Sequence, residues 1–285
     1  MIPAAFEYAR ATSLTDALTA LGSTGTVAIS GGQSLIPLMR FRRVQPARLI
    51  DIGQLDELRG IDIRDGLVRI GAATTYRELL DSTALRLAMP LVPEVVEYIG
   101  DLQLRNRGTL GGALAYADPF ADLPAAMIAL DAAFHLHSLR GVRKVPAREF
   151  FLGAFTTALL PGELLVTIEV PALAPRTTCA YANFEKAASG YSQVGAAAVV
   201  TRDADGMISA AALAITSVSA APFLAPAAQS LVGTDGSAAM VAQVVTATLT
   251  SVEIYPDPHV TPEYHRHLAQ VAATRALRRA IDGAT

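Results

Sequence analysis

Two glycine pairs, each set between an extended segment and a helix-like one, constrain this chain more than any other feature. The first stands in Ser30-Gly31-Gly32-Gln33-Ser34-Leu35, directly after the run Thr26 to Ile29. The second stands in Thr109-Leu110-Gly111-Gly112-Ala113. Glycine lacks a Cβ, tolerates φ > 0 and lets a ligand lie on the backbone. Free N–H groups at such a turn, or at the helix start beyond it, favour an anion, most often a phosphate. Two loops of this kind suit a ligand with two phosphates, a pyrophosphate. Neither fits G-x-G-x-x-G or G-x-x-x-x-G-K-[ST], so the common dinucleotide and P-loop fingerprints are absent. Each pair taken singly also reads as a tight turn and nothing more.

The elements around the loops read as α+β. Ser13-Leu14-Thr15-Asp16 opens a helix whose Leu14, Leu18 and Leu21 share a face and which Gly22 stops. Thr26 to Ser30 and Arg48 to Ile52 read as strands around a short helix, Gln33 to Met39, giving a β-α-β-like opening. Ile61 to Ile70 is a hairpin turning at Asp65-Gly66, and Thr75 to Glu78 caps a further helix. Helices are predicted over Leu91 to Ile99 and Asp122 to Leu130, strands over Phe134 to His137 and Leu164 to Val170. Pro171 to Pro175 makes the linker. Beyond it, Ala180 to Glu185, Val194 to Thr201 and Met207 to Val218 predict a three-stranded antiparallel sheet. Helices over Ala225 to Leu231, Ala238 to Val252 and Pro262 to Ala280 follow, the last capped by Thr261. The expected domains are 1–173, divided near 56 into subdomains 1–56 and 57–173, and 177–285.

Composition excludes several classes. A net charge of −3 gives no electrostatic case for nucleic acid. No stretch approaches the ~20 uninterrupted apolar residues of a membrane span. The first ten residues carry early charges and no apolar core, so a cytoplasmic location is expected. Cys179 is the single cysteine, which rules out an internal disulfide and a four-thiolate iron–sulfur cluster within this chain. It reads as a small buried hydrophobe. His135 and His137 share a strand face, whereas His265 and His267 point to different sides of a helix; with no completing carboxylate or cysteine they read as surface residues. Arg40, Arg42, Arg43 and Arg48 form either a solvated loop or a docking patch for an acidic partner.

Ser30-Gly31-Gly32-Gln33-Ser34-Leu35-Ile36-Pro37 and Thr109-Leu110-Gly111-Gly112 resemble the two FAD-binding loops of the medium subunit of molybdenum hydroxylases, the carbon monoxide dehydrogenase and xanthine dehydrogenase family. Ala117-Asp118-Pro119, Ala121-Asp122-Leu123-Pro124-Ala125, Pro161-Gly162-Glu163-Leu164-Leu165 and Pro262 to Ala269 extend the resemblance over nearly the whole chain. It implies a two-subdomain FAD-binding domain of the vanillyl-alcohol-oxidase type, followed by the C-terminal sheet with helices. It also implies non-covalent FAD, with the pyrophosphate on Ser30, Gly31, Gly32, Gln33, Ser34 and the neighbouring Leu35, and Thr109, Gly111 and Gly112 opposite. Asp122 would accept from ribityl or ribose hydroxyls, Leu165 would press on adenine, and Lys186 and Tyr191 would lie near the isoalloxazine. A cation near that ring stabilises the charge of its reduced form.

By the same resemblance, molybdopterin sits on a large partner subunit and two [2Fe-2S] clusters on a small one, in a dimer of heterotrimers. The flavin passes electrons to an external acceptor, and the substrate is chosen on another polypeptide. The residues read alone leave alternatives open. Asp122 can be the N-cap of its helix, Lys186 a solvated lysine and Tyr191 a packing residue. A stand-alone flavoenzyme of the vanillyl-alcohol-oxidase class, or a non-catalytic nucleotide-binding module, would carry the same loops.

Overall fold

The computed structural model describes residues 2–187 and 189–283. The chain begins with β1 (Glu7–Arg10), α1 (Leu14–Leu21), β2 (Thr26–Ile29), α2 (Leu35–Arg40) and β3 (Arg48–Asp51), whose strands form a parallel sheet in the order β1-β3-β2. Ser13 is extended and its Oγ accepts the Asp16 N–H at 3.1 Å, satisfying one of the donors a helix start leaves free. No sequence pattern predicts β1, because Glu7, Tyr8 and Arg10 are exposed and only Ala9 turns inward. Its partner β3 makes it a strand, in register from Glu7 with Arg48 to Arg10 with Asp51.

The second sheet is antiparallel. Its hairpin, β4 (Ile61–Arg64) and β5 (Leu67–Gly71), turns on Asp65 at φ 53° and Gly66 at φ 72°, the backbone a two-residue turn between twisted strands requires. Six helices follow: α3 (Tyr76–Asp81), α4 (Thr83–Ala88), α5 (Leu91–Glu97), α6 (Leu102–Arg105), α7 (Leu110–Tyr116) and α8 (Leu123–Ala129). Thr75 and Glu78 cap α3 reciprocally, with Glu78 N–H to Thr75 Oγ1 at 3.2 Å and Thr75 N–H to Glu78 Oε2 at 2.7 Å. Then come β6 (Ala133–Ser138), β7 (Gly141–Pro146), α9 (Ala147–Phe150), the small hairpin β8 (Phe151–Gly153) and β9 (Thr156–Thr157), and β10 (Leu164–Pro171). The sheet order is β4-β5-β10-β6-β7.

Strand β10 is central and covered on both faces where it begins. A bulge between Leu165 and Thr167 breaks its register with β6. Leu164 and Val166 enter the core of the first sheet with Ala11, Leu18 and Ile50. Leu165, Ile168 and Val170 belong to the larger helix-covered core with Phe134 and Leu110. One strand thus closes two cores.

The C-terminal part holds β11 (Thr177–Glu185), β12 (Ser192–Arg202), β13 (Ile208–Thr216), β14 (Phe223–Leu224), α10 (Ala238–Thr250) and α11 (Pro262–Asp282). The sheet has four strands, in the order β11-β12-β13-β14, where the sequence predicts three. The added strand is two residues long, between Pro222 and Pro226, too short to show alternation. The predicted helix after it is a 3-10 turn, Pro226–Leu231. Much of the alanine excess is explained here. Ala180, Ala196 and Ala198 of the sheet share a core with Ala269, Ala272, Ala273, Ala276 and Ala280 of α11. Small faces bring helix and sheet close, and ordering alanine forfeits no side-chain entropy.

Candidate cofactor-binding site

A cleft of ≈ 600 Å³ runs along the first glycine loop, past the second, to the tip of the β11–β12 connection. That volume lies within the range of small-molecule and cofactor sites. Twelve of the thirteen residues named from the sequence line it: Ser30 to Leu35, Thr109, Gly111, Gly112, Asp122, Leu165 and Tyr191. The thirteenth, Lys186, does not.

The two loops work differently. In the first, none of the amides from Gly31 to Leu35 donates to an acceptor among the described residues. Gly32 sits at φ 74°, and the buried Ser30 Oγ has no hydrogen-bond partner. Successive unpaired N–H groups of this kind form an anion-binding concavity. In the second loop the amides are already used. Leu110 N–H donates to Thr74 O at 3.0 Å, Gly111 N–H to Ala72 O at 2.8 Å and Gly112 N–H to Thr109 Oγ1 at 3.2 Å. Its glycines serve close packing instead, since a Cβ on Gly111 would run into Ala72. Gly31 packs in the same way, its absent Cβ leaving room for the Arg107 carbonyl. The loops are keyed to each other, and the first alone presents a row of free donors.

Asp122 is buried on the cleft wall just before α8. Its backbone is helical and its side chain makes no capping bond, so the N-cap alternative is not realised. The Tyr181 hydroxyl donates to Asp122 Oδ1. Burial pushes the Asp122 carboxyl up to about 6, against the lowering effect of that hydroxyl and of Ser192. Leu165 presents β10 to the cleft, and Tyr191 stands half-exposed at its mouth.

Lys186 Nζ lies 2.6 Å from Asp257 Oδ2 and 3.7 Å from the centroid of Phe120, a ring that does line the cleft. The lysine is therefore neither solvated nor on the wall. It stands behind an aromatic wall residue. Burial alone would raise the Asp257 carboxyl; Lys186, the His259 backbone amide and Gln193 outweigh it and hold the group at about 2.

Other sequence candidates fall away from the cleft. His265 is buried on α11, its Nε2 2.8 Å from Gln193 O, which corrects the expectation of a surface histidine. His135 Nε2 lies 3.7 Å from Glu169. Among the described residues no group of three or more His, Cys, Asp or Glu is placed to hold a metal. Burial, with Glu94 nearby, pushes the half-buried Cys179 thiol up to about 12, far from a reactive thiolate. Arg40, Arg42 and Arg43 are exposed and enter no ion pair among the described residues. Sequence reasoning misses Tyr181, Phe120 and Asp257. Tyr181 and Asp257 meet their partners from 59 and 71 residues away.

Residues 4–173 match the family described as the FAD binding domain in molybdopterin dehydrogenase, and residues 179–280 match the CO dehydrogenase flavoprotein C-terminal domain. The chain belongs to the molybdopterin dehydrogenase FAD-binding family. It is 34% identical to the 6-hydroxypseudooxynicotine dehydrogenase complex subunit alpha of Paenarthrobacter nicotinovorans, over 99% of this chain and 96% of the relative. It is 36% identical to the carbon monoxide dehydrogenase medium chain of Afipia carboxidovorans, over 98% of each. Among solved structures, carbon monoxide dehydrogenase from Hydrogenophaga pseudoflava superposes with a TM-score of 0.95 at 37% identity, over 98% of each chain. The mixed helix-and-sheet architecture is that of the family's medium chains. Among the described residues no helix is long and apolar enough to cross a membrane.

Proposed function

We propose that this chain holds one FAD non-covalently and serves as the electron-transfer subunit of a cytoplasmic, heteromeric molybdopterin-dependent hydroxylase or dehydrogenase. Its partners in this reading are a small subunit with two [2Fe-2S] clusters and a large molybdopterin subunit, in a dimer of heterotrimers. The observation that carries the reading is the row of free amides from Gly31 to Leu35 beside the orphaned Ser30 Oγ. A diphosphate, which only accepts hydrogen bonds, fits that donor set. Thr109, Gly111 and Gly112 form the opposite wall, Asp122 accepts from a sugar or ribityl hydroxyl, and Leu165 packs on the adenine end. Tyr191 stands by the ring, and Lys186 acts on the ring's surroundings through Phe120. The bound flavin supplies a site where electrons that arrive singly leave as a pair. The protein's part is to position that ring and tune it.

The test is spectroscopic. The purified chain should be yellow, and acid precipitation should release all the colour as FAD. With carbon monoxide, purines, N-heterocycles or aldehydes under anaerobic conditions, the isolated subunit should keep its oxidised spectrum. The substrate of the complex should bleach it only after both partner subunits are added. Flavin retained in the pellet, FMN in the supernatant, or bleaching without partners would overturn this reading, the last in favour of a stand-alone flavoenzyme.

A further inference from the structure

Tyr181 is fully buried, yet its side chain and its backbone are all engaged, by four different elements. It lies on β11, an edge strand of the C-terminal sheet, so its outward N–H and C=O have no neighbouring strand. Glu94 Oε1 of α5 accepts the N–H at 3.2 Å, and Arg279 of α11 donates to the C=O at 2.6 Å. Glu94 and Arg279 are themselves joined at 2.8 Å. The hydroxyl reaches Asp122 at the start of α8. Strand β12 leaves room for it, because a Cβ on Gly195 would occupy the hydroxyl's place. Tyr181 also packs in the core of the middle helices, whereas its neighbours Ala180 and Ala182 pack in the C-terminal core.

We propose that Tyr181 is a positioning residue that holds the Asp122 carboxylate toward the FAD cleft, so that the C-terminal sheet sets how tightly this chain binds its cofactor. The proposal rests on the reading of the cleft as an FAD site. A tyrosine fastened at its N–H and C=O delivers its hydroxyl to one place, and one donor on Oδ1 leaves Oδ2 to accept from the ligand. Tyr76 from α3 and Glu185 from the end of β11 are the other titratable groups near this carboxyl. Burial keeps the Tyr76 phenol neutral, so it sets no charge against Asp122. Glu185 disfavours the ionised form electrostatically, and the Tyr181 hydroxyl opposes it. Removing the hydroxyl leaves the carboxyl protonated to higher pH and free to turn.

The experiment titrates flavin-stripped chain with FAD by flavin fluorescence, for wild type, Tyr181→Phe, Asp122→Asn and the double variant, with circular dichroism to confirm folding. Tyr181→Phe should weaken FAD about tenfold or more, the size of a lost hydrogen bond to a charged group. The double variant should bind within about twofold of Asp122→Asn, because the tyrosine acts only through the aspartate. Wild-type affinity should fall as pH drops through about 6, and Tyr181→Phe should move that midpoint upward. Gly195→Ala, which keeps both partners but displaces the hydroxyl, should reproduce the loss. Tyr181→Phe binding as wild type does, or effects of the two single variants that simply add, would overturn the positioning role and leave the FAD assignment standing. Wild-type chain that takes up no FAD would overturn the assignment itself, and the positioning role with it.

Discussion

Replacing Lys186 with methionine keeps a long stem against Phe120 and removes the charge that Asp257 faces. The Asp257 side chain has no exposed surface, and that of Lys186 is 20% exposed. Taking one partner from a buried ion pair costs ~3–5 kcal/mol, because the other charge stays buried and uncompensated. Here Gln193 Nε2 at 3.1 Å and the His259 N–H at 2.9 Å still donate to Asp257. The lower end, about 3 kcal/mol, is therefore expected at pH 7. Adding Asp257→Asn removes the stranded charge and should bring the protein back to within about 1 kcal/mol of wild type. The chain has no tryptophan, so urea unfolding of the FAD-free protein is best followed by far-ultraviolet circular dichroism. The sign with pH is also fixed. A carboxyl held down at about 2 contributes stability that is full above its unfolded value and lost as pH falls through 2. Lys186→Met as stable as wild type, or a double variant as weak as the single one, would refute the argument. Unchanged stability with a displaced flavin potential would place the lysine's charge on the ring instead.

Asp122→Asn should stabilise the FAD-free chain while weakening the cofactor. The wild-type carboxyl is raised to about 6, so wild-type stability falls as pH rises from about 4 to 6 and the variant gains up to ~3 kcal/mol above that window; a pH-independent difference in urea midpoints would refute this. Gly31→Ala drives a Cβ into the Arg107 carbonyl and should prise the two loops apart, weakening FAD at least about tenfold in a fluorescence titration. Full affinity would show that the loops can part without cost. Thr75→Ala removes the hydroxyl that accepts the Glu78 N–H, while the backbone N–H of residue 75 still donates to Glu78. It should cost about 1 kcal/mol in urea unfolding, with no effect expected on the C-terminal sheet.

What was legible in the sequence was local. The Thr75–Glu78 cap, the Asp65-Gly66 turn and the first glycine loop each complete their chemistry within a few residues, so spacing reveals them. Strands β1 and β14 become strands only through their partners, and the bulge at Val166 exists only because β10 serves two cores. Alternation along β11 suggests that Tyr181 can face inward, but nothing near it names Asp122. The need for Gly195 comes from the neighbouring strand. His265 follows the same logic: its spacing from His267 says little, and the packing of α11 on the sheet decides which of the two is buried. The two glycine pairs look alike in sequence, yet in the second loop the Leu110 and Gly111 amides are consumed by Thr74 and Ala72, backbone that only the folded chain brings near, and the Gly112 amide by Thr109 Oγ1.

The shared strand β10 also sets a timetable for synthesis. The first β-α-β unit is written by residue 51, but its core lacks Leu164 and Val166 until more than a hundred further residues have been added. At roughly 5–20 residues per second, the nascent unit waits on the order of 5–20 s with Ala11, Leu18 and Ile50 uncovered. Those apolar faces, and the open edge of β2, are what a chaperone at the ribosome exit would meet first.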